Sequence, residues 1–235
     1  MNITINELDE LLESFVKVVC NGRDESHGYA HMKKVKINSL KIFKELFGYV
    51  NSEYKLCMGV YEMDIDLQTY YYLEKLTMTV AWLHDVADKL KKIVYYFLNG
   101  LYPDNRCAIA ILIQNIIDRI SYSKENKVRM SDKVLDWKII LGFEGCLVRD
   151  VVSDADKLEA LGKIGLCRCI EFASHKYKEK NGVDIQLDIL KQNVKEHATE
   201  KLLRLKDEFI RTPTGYDMAT VLHDEFVEEF EKFLK

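Results

Sequence analysis

An all-α protein is what this sequence predicts, on three observations. Its 235 residues include only 11 glycines and 2 prolines, about half the share of an average chain, which leaves little material for the turns of a sandwich or barrel. Apolar residues recur at three- and four-residue intervals over most of the length. Several breakers, Asn21-Gly22, Asn99-Gly100, Pro103, Asn181-Gly182 and Thr212-Pro213-Thr214-Gly215, stand between those stretches.

Taken in order, Thr4 and Glu7 have capping-box spacing, and Leu8, Leu11, Leu12, Phe15 and Val18 follow at helical intervals. A first helix should therefore run to about Cys20. A second should start near Ser26 and reach about Phe47, with Val35, Ile37, Leu40, Ile42 and Phe43 available to a core. Residues 48–66 carry the least pattern. Tyr70 to Leu98 reads as one long helix with Leu73, Leu76, Val80, Trp82 and Leu83 near one face, stopped by Asn99-Gly100. Further helices are expected over about 104–121, Leu135–Val151 and Asp156–Lys178, and two charged amphipathic segments, roughly 185–210 and 216–235, close the chain. Asp64 to Tyr72 alternates enough for a strand, but one short strand makes no sheet, so the prediction stays all-α. No composition shift, repeat or low-complexity tract marks a boundary, and a single domain is expected.

With 34 basic and 38 acidic residues the net charge is −4. That balance excludes a surface built to neutralise a long nucleic acid. The longest apolar run, Cys107 to Ile113, falls far short of the ~20 residues that span a bilayer, and no basic-then-apolar leader opens the sequence. No membrane association and an intracellular, cytoplasmic location are expected. Cys20, Cys57, Cys107, Cys146, Cys167 and Cys169 fall in no Cys-x-x-Cys spacing and read as buried thiols. Phosphate-cradling glycine loops, a serine elbow, His-Glu-x-x-His and zinc-ribbon spacings are all missing from the chain.

What is present is a set of imidazoles and carboxylates. His27-x-x-x-His31 places two histidines on one helix face. His84-Asp85 lies within Val80-Ala-Trp-Leu-His-Asp-Val-Ala-Asp88. Neighbours on a helix diverge by ~100°, so this pair can reach one metal only if several helices surround it. Ser153-Asp-Ala-Asp-Lys-Leu-Glu-Ala-Leu-Gly162 adds two carboxylates at the expected start of a helix. Together such groups suit a hard-to-borderline divalent ion. Each also has a plainer reading. His84-Asp85 suits a buried capping pair, Asp156 the positive end of a helix, and Asp154 a cap or a partner of a ligand. His223-Asp224, among Glu225, Glu228 and Glu229, reads as solvated surface.

The order His31, His84-Asp85, Asp156 resembles the H…HD…D signature of the HD-domain metal-dependent phosphohydrolases, and the chain looks like their compact bacterial members. Their first motif, Asp-x-Ser-His-Asp-x-x-His-x-x-Arg-Val, is matched by Asp24-Glu-Ser-His-Gly-Tyr-Ala-His-Met-Lys-Lys-Val35. Their last, Asp-Ala-Asp-Arg-Leu-Asp-Ala-Ile-Gly-Ala-Ile-Gly-Ile-Ala-Arg, is matched by Asp154-Ala-Asp-Lys-Leu-Glu-Ala-Leu-Gly-Lys-Ile-Gly-Leu-Cys-Arg168. Glu200-Lys-Leu-Leu-Arg-Leu205 and the Thr212-Pro-Thr-Gly215 turn are also similar.

The resemblance implies one HD-type helical bundle over residues 1–235, its motif core at ~20–180 and its C-terminal helices at ~185–235 packed on it. It implies a single divalent ion, Mn, Mg, Ni, Co, Fe or Zn, held by His31, His84, Asp85 and Asp156. No histidine stands between Asp85 and Asp156, which favours one metal over a dinuclear phosphodiesterase or di-iron oxygenase site. Asp88 would carry a proton or orient a neighbour, and His27 would touch a phosphate oxygen or the leaving group. Asp24, Lys34, Lys89 and Arg168 would line the substrate pocket, each basic residue having a surface or salt-bridge role as its alternative. Gly28, Lys34 and Leu90 replace the family's Asp, Arg and Lys, which bears on how phosphate is bound. A bound ion lowers the pKa of its water and polarises a phosphoryl oxygen, so no side-chain nucleophile is needed. The implied reaction is in-line attack of that activated water on a small phosphorylated substrate, especially a nucleotide. The alternative is an HD-fold nucleotide-binding or regulatory module without turnover. The C-terminal helices either join a homodimer or cover the core.

Overall fold

The computed structural model describes residues 3–22, 28–50, 53–58, 61–101, 106–131 and 137–235. Helices dominate it, as the sequence predicts. The chain groups into two compact units, Met1–Ala155 and Asp156–Lys235.

The first unit opens with α1 (Ile5–Val19). Its capping box is formed: the Glu7 amide donates to Thr4 Oγ1 at 3.3 Å and the Thr4 amide to Glu7 Oε2 at 2.8 Å. Leu8, Leu12 and Val16 are buried, whereas Leu11 and Val18 face outward. Next comes α2 (Tyr29–Leu46), which buries Val35, Ile42 and Phe43 and leaves Ile37 exposed.

The stretch with least pattern forms a three-stranded antiparallel sheet: β1 (Phe47–Val50), β2 (Glu53–Met58) and β3 (Tyr61–Ile65), in that order. Its register pairs Phe47 with Leu56 and Leu56 with Met63. The expectation that no sheet would form here is thus corrected: Asp64 and Ile65, part of the alternating stretch at 64–72, end β3, and two neighbouring strands complete the sheet. Apolar residues do alternate at Tyr54, Leu56 and Met58, but over spans too short to register against a helical period.

Helix α3 (Leu67–Leu83) is the core of the unit. Every residue from Leu76 to Leu83 is buried, and the helix packs on α1, α2 and β2, as expected of a helix apolar on all sides. The long helix expected over Tyr70–Leu98 is in fact two, because the chain turns at His84-Asp85 before α4 (Val86–Leu101). Asn99-Gly100 therefore lies inside α4 rather than stopping it. Then come α5 (Arg106–Ile117) and α6 (Tyr122–Arg129), the latter not predicted.

Helix α7 (Lys138–Leu158) runs past the end expected at Val151 and takes in Asp156, so the helix expected from Asp156 begins only at Gly162. Asp154 and Asp156 consequently lie in its last turns rather than at the start of a helix, and Asp154 is fully buried.

The second unit consists of the end of α7, α8 (Gly162–Asn181), α9 (Leu187–Glu200), a short irregular helical stretch to Phe209, and α10 (Pro213–Leu234). Thr212 accepts from the Gly215 amide at 3.0 Å and caps α10, with Pro213 at the first helical position. Gly165 is a close-packing position: a Cβ there would lie 2.3 Å from the Ala160 carbonyl atoms. Of the cysteines described, Cys20 and Cys169 are buried, Cys146 is intermediate and Cys167 is exposed, which corrects the expectation for Cys167. Among the described residues no helix is long and apolar enough to cross a membrane.

Candidate metal centre

Two residues far apart in sequence meet at one end of the α2–α3 pair. His31 lies in the first turn of α2 and His84 directly follows α3. Their Nε2 atoms are 3.3 Å apart. Asp85 joins them, with Oδ2 3.6 Å from His31 Nε2 and Oδ1 3.8 Å from His84 Nε2. All three ligand atoms lie within 4.8 Å of one another.

The turn after α3 explains how adjacent residues reach one point. His84 Nδ1 lies 2.8 Å from the Ala81 carbonyl oxygen. A carbonyl can only accept, so Nδ1 carries the proton and Nε2 holds a lone pair. The same bond occupies a carbonyl that a continuing helix would offer to Asp85, and so helps end α3. The ~100° divergence expected for two helical neighbours therefore does not arise.

The geometry suits a divalent ion. Nitrogen and oxygen ligands about 2.0–2.2 Å from a metal stand roughly 3.0–3.6 Å apart at ligand–metal–ligand angles of about 90–120°. The His31–His84 separation of 3.3 Å lies inside that range, and the Asp85 contacts, at 3.6 and 3.8 Å, lie at and just beyond its upper edge. A ligand imidazole that donates its other N–H to a backbone carbonyl is the usual companion arrangement, and His84 has it. The side chains of His31 and His84 are 4% and 2% exposed and that of Asp85 28%. Two buried imidazoles thus sit under a carboxylate open to incoming solute.

The other predicted residues fall as follows. Asp24 and His27 lie outside the described residues, as do the side chains of Asp88 and Lys89, whose backbone belongs to the first turn of α4. Lys34 is exposed on α2, three residues from His31 and hence on the same face. Asp156 opens the second unit. Arg168, half-buried there, donates from Nη1 to the Glu159 carbonyl at 3.1 Å.

Sequence reasoning missed Lys201 as a separate feature, although it stands in the Glu200–Leu205 motif. Burial lowers its pKa, and the Asp156 carboxylate acts against that shift. His223 is partly buried rather than solvated, and burial lowers its pKa. The second unit also holds a cleft of about 460 Å³ between α8 and α9. Its Lys176 and Lys180 are matched by Glu196 and Glu200, so its lining carries no net charge to select a phosphate.

No protein-family model matches the chain. It is 25% identical over 233 residues to the protein YpgQ of Bacillus subtilis strain 168, covering 95% of this chain and 92% of that one. The crystal structure of Bacillus subtilis YpgQ in complex with ADP superposes with a TM-score of 0.59 at 21% identity, covering 98% of this chain and 95% of the other. An HD-superfamily hydrolase from Bacillus thuringiensis does so with a TM-score of 0.59 at 22% identity, covering 99% and 97%. At these identities the likeness establishes a shared helical fold.

Proposed function

We propose that this protein is a metal-dependent phosphohydrolase of the HD type that acts on a nucleotide or another small phosphorylated molecule. The observation that carries the reading is the meeting of His31 Nε2 and His84 Nε2 at 3.3 Å beside the Asp85 carboxylate. Their order along the chain is that of the H…HD signature. Likeness to an HD-superfamily hydrolase and to a protein crystallised with ADP supports it. Asp156 is the proposed fourth ligand on its motif position alone, and residues 1–235 are proposed to make one HD domain.

A divalent ion held here would polarise a phosphoryl oxygen and acidify a bound water. The chain's own residues do the rest. His84, fixed by Ala81, presents its lone pair without reorientation, and Asp85 contributes negative charge at the solvent side. Lys34 on the His31 face offers an ammonium for a substrate phosphate, with Arg168 and Lys89 as further cations by motif position. Asp88 is proposed to accept and return a proton, and His27 and Asp24 to contact the substrate.

The test is a nucleotide panel assayed for phosphate and pyrophosphate with Mn, Mg, Co, Ni and Zn in turn. Wild type is compared with His84→Ala and Asp156→Ala. Product released by wild type and by neither variant is the expected result, and its identity names the bond cleaved. Metal and ADP binding with no product from any substrate would replace the enzyme reading with a nucleotide-binding module.

A further inference from the structure

We infer that Asp9 is a positioning residue of the metal centre, holding from α1 the ends of α2 and α3 that carry His31 and His84. The inference rests on the reading of those histidines as ligands. Asp9 Oδ1 accepts from the Trp82 indole N–H at 2.7 Å, and Oδ2 accepts from Lys36 Nζ at 2.9 Å. Trp82 is fully buried and stands two residues before His84; Lys36 stands on α2, five residues beyond His31. One carboxylate therefore ties both ligand-bearing helices to a third.

The tie is reinforced around the same indole. The Tyr29 ring stacks on Trp82 with centroids 6.0 Å apart, and the Lys36 ammonium lies 5.4 Å above it. One turn along α1 from Asp9, Glu13 accepts from the Tyr29 hydroxyl. That bond, with Lys17 beside it, holds the Glu13 carboxyl down at about 2.

Apolar contact between α2 and α3 is non-directional and tolerates sliding and rotation. Metal ligation does not, since a site loses function when its ligands stray by more than about 0.5 Å. The indole N–H has a single direction, so its bond to Asp9 fixes the rotation of α3 at Trp82. That rotation places the Ala81 carbonyl, which in turn orients the His84 ring. The bond to Lys36 fixes the facing helix against the same anchor.

The experiment is titration of the metal-free protein with Co²⁺, read by visible absorption, alongside thermal melts. It uses wild type, Asp9→Ala, Asp9→Asn, Lys36→Met and His84→Ala. His84→Ala should lose the wild-type cobalt spectrum. Asp9→Ala should bind Co²⁺ about 10–100-fold more weakly with a shifted band. Asp9→Asn, which keeps an acceptor for Trp82, should recover most of the loss, and Lys36→Met should show a smaller defect. A lower melting temperature with wild-type affinity and spectrum in Asp9→Ala would make Asp9 merely structural and overturn the inference. Should Asp9→Ala not fold, unchanged cobalt binding in both Lys36→Met and Trp82→Phe overturns it equally. If His84→Ala binds as wild type does, the ligand reading itself fails and takes the Asp9 inference with it.

Discussion

Two polar knots are buried in the first unit, and they are chemical opposites. Around Arg149, in α7, a cation meets its own counter-charges. Nε donates to the Arg119 carbonyl at 2.9 Å, Nη1 to Asp150 at 2.7 Å and Nη2 to Glu125 at 2.5 Å, while the guanidinium lies 3.8 Å from the Trp137 ring centre. The side chains of Arg149 and Glu125 are both at 0% exposure. At His31, His84 and Asp85, by contrast, two imidazoles and a carboxylate bring possible ligand atoms within 4.8 Å of one another. The first knot pairs a cation with carboxylates of the chain; the second gathers groups of the kinds that suit a divalent ion. Burial alone does not tell the two clusters apart; the kinds of group each gathers do.

The comparison can be broken most forcefully at Glu125. Glu125→Ala leaves the Arg149 guanidinium buried without its closest carboxylate and should cost about 3–5 kcal/mol, read by urea unfolding. Asp85→Ala should cost far less in the absence of metal, because the Asp85 side chain is 28% exposed and stands 3.6 and 3.8 Å from the two imidazoles. An equal loss in both variants would mean that the two knots are the same kind of structure.

Metal addition separates them next. At 100 times its dissociation constant, Mn²⁺ should stabilise wild type by about 2.7 kcal/mol, seen as a higher melting temperature. Glu125→Ala should keep that increment, and His84→Ala should show none of it.

A smaller effect tests the helix on which Asp9 stands. Thr4→Ala removes the capping box of α1 and should cost about 1 kcal/mol. If the metal-induced increment is unchanged in that variant, the loss belongs to the helix end alone.

The least effect comes from groups in neither knot, through pH. Burial lowers the His197 pKa below its ordinary 6.5, so below 6.5 the unfolded chain binds more protons than the folded one. Its stabilising contribution is complete above pH 6.5 and is lost as pH falls through the folded value. Burial pushes the Cys169 thiol from 9.0 up to about 11, so its contribution is complete below pH 9 and lost as pH rises toward 11. Melts of wild type and His197→Phe across pH 5–7 should keep a constant difference near neutral pH, with wild type losing stability relative to the variant on the acid side.

Much of this was legible in the residues. The capping box at Thr4, the stop at Gly182 and the Thr212 cap are local devices, written within four residues of where they act. His31, His84 and Asp85 were legible as a motif. The division of Tyr70–Leu98 at His84 was not, because the side chain that ends α3 carries no breaker signature and acts through its own hydrogen bond to Ala81. The sheet at 47–65 was missed because each strand is too short to show its pairing without its neighbours. Asp9 gave no signal either: its role depends on Trp82 and Lys36, 73 and 27 residues away.

The helical class, the capped starts and stops such as those at Thr4 and Gly182, and the identity of the candidate ligands follow from local periodicity, capping chemistry and residue type, and so are written in the sequence. That His31 and His84 meet at 3.3 Å, that Asp85 stands beside them and that Asp9 bonds to both of their helices depends on the packed fold. Distances between residues remote in the chain are set by how helices pack, and packing is a property of all the side chains together.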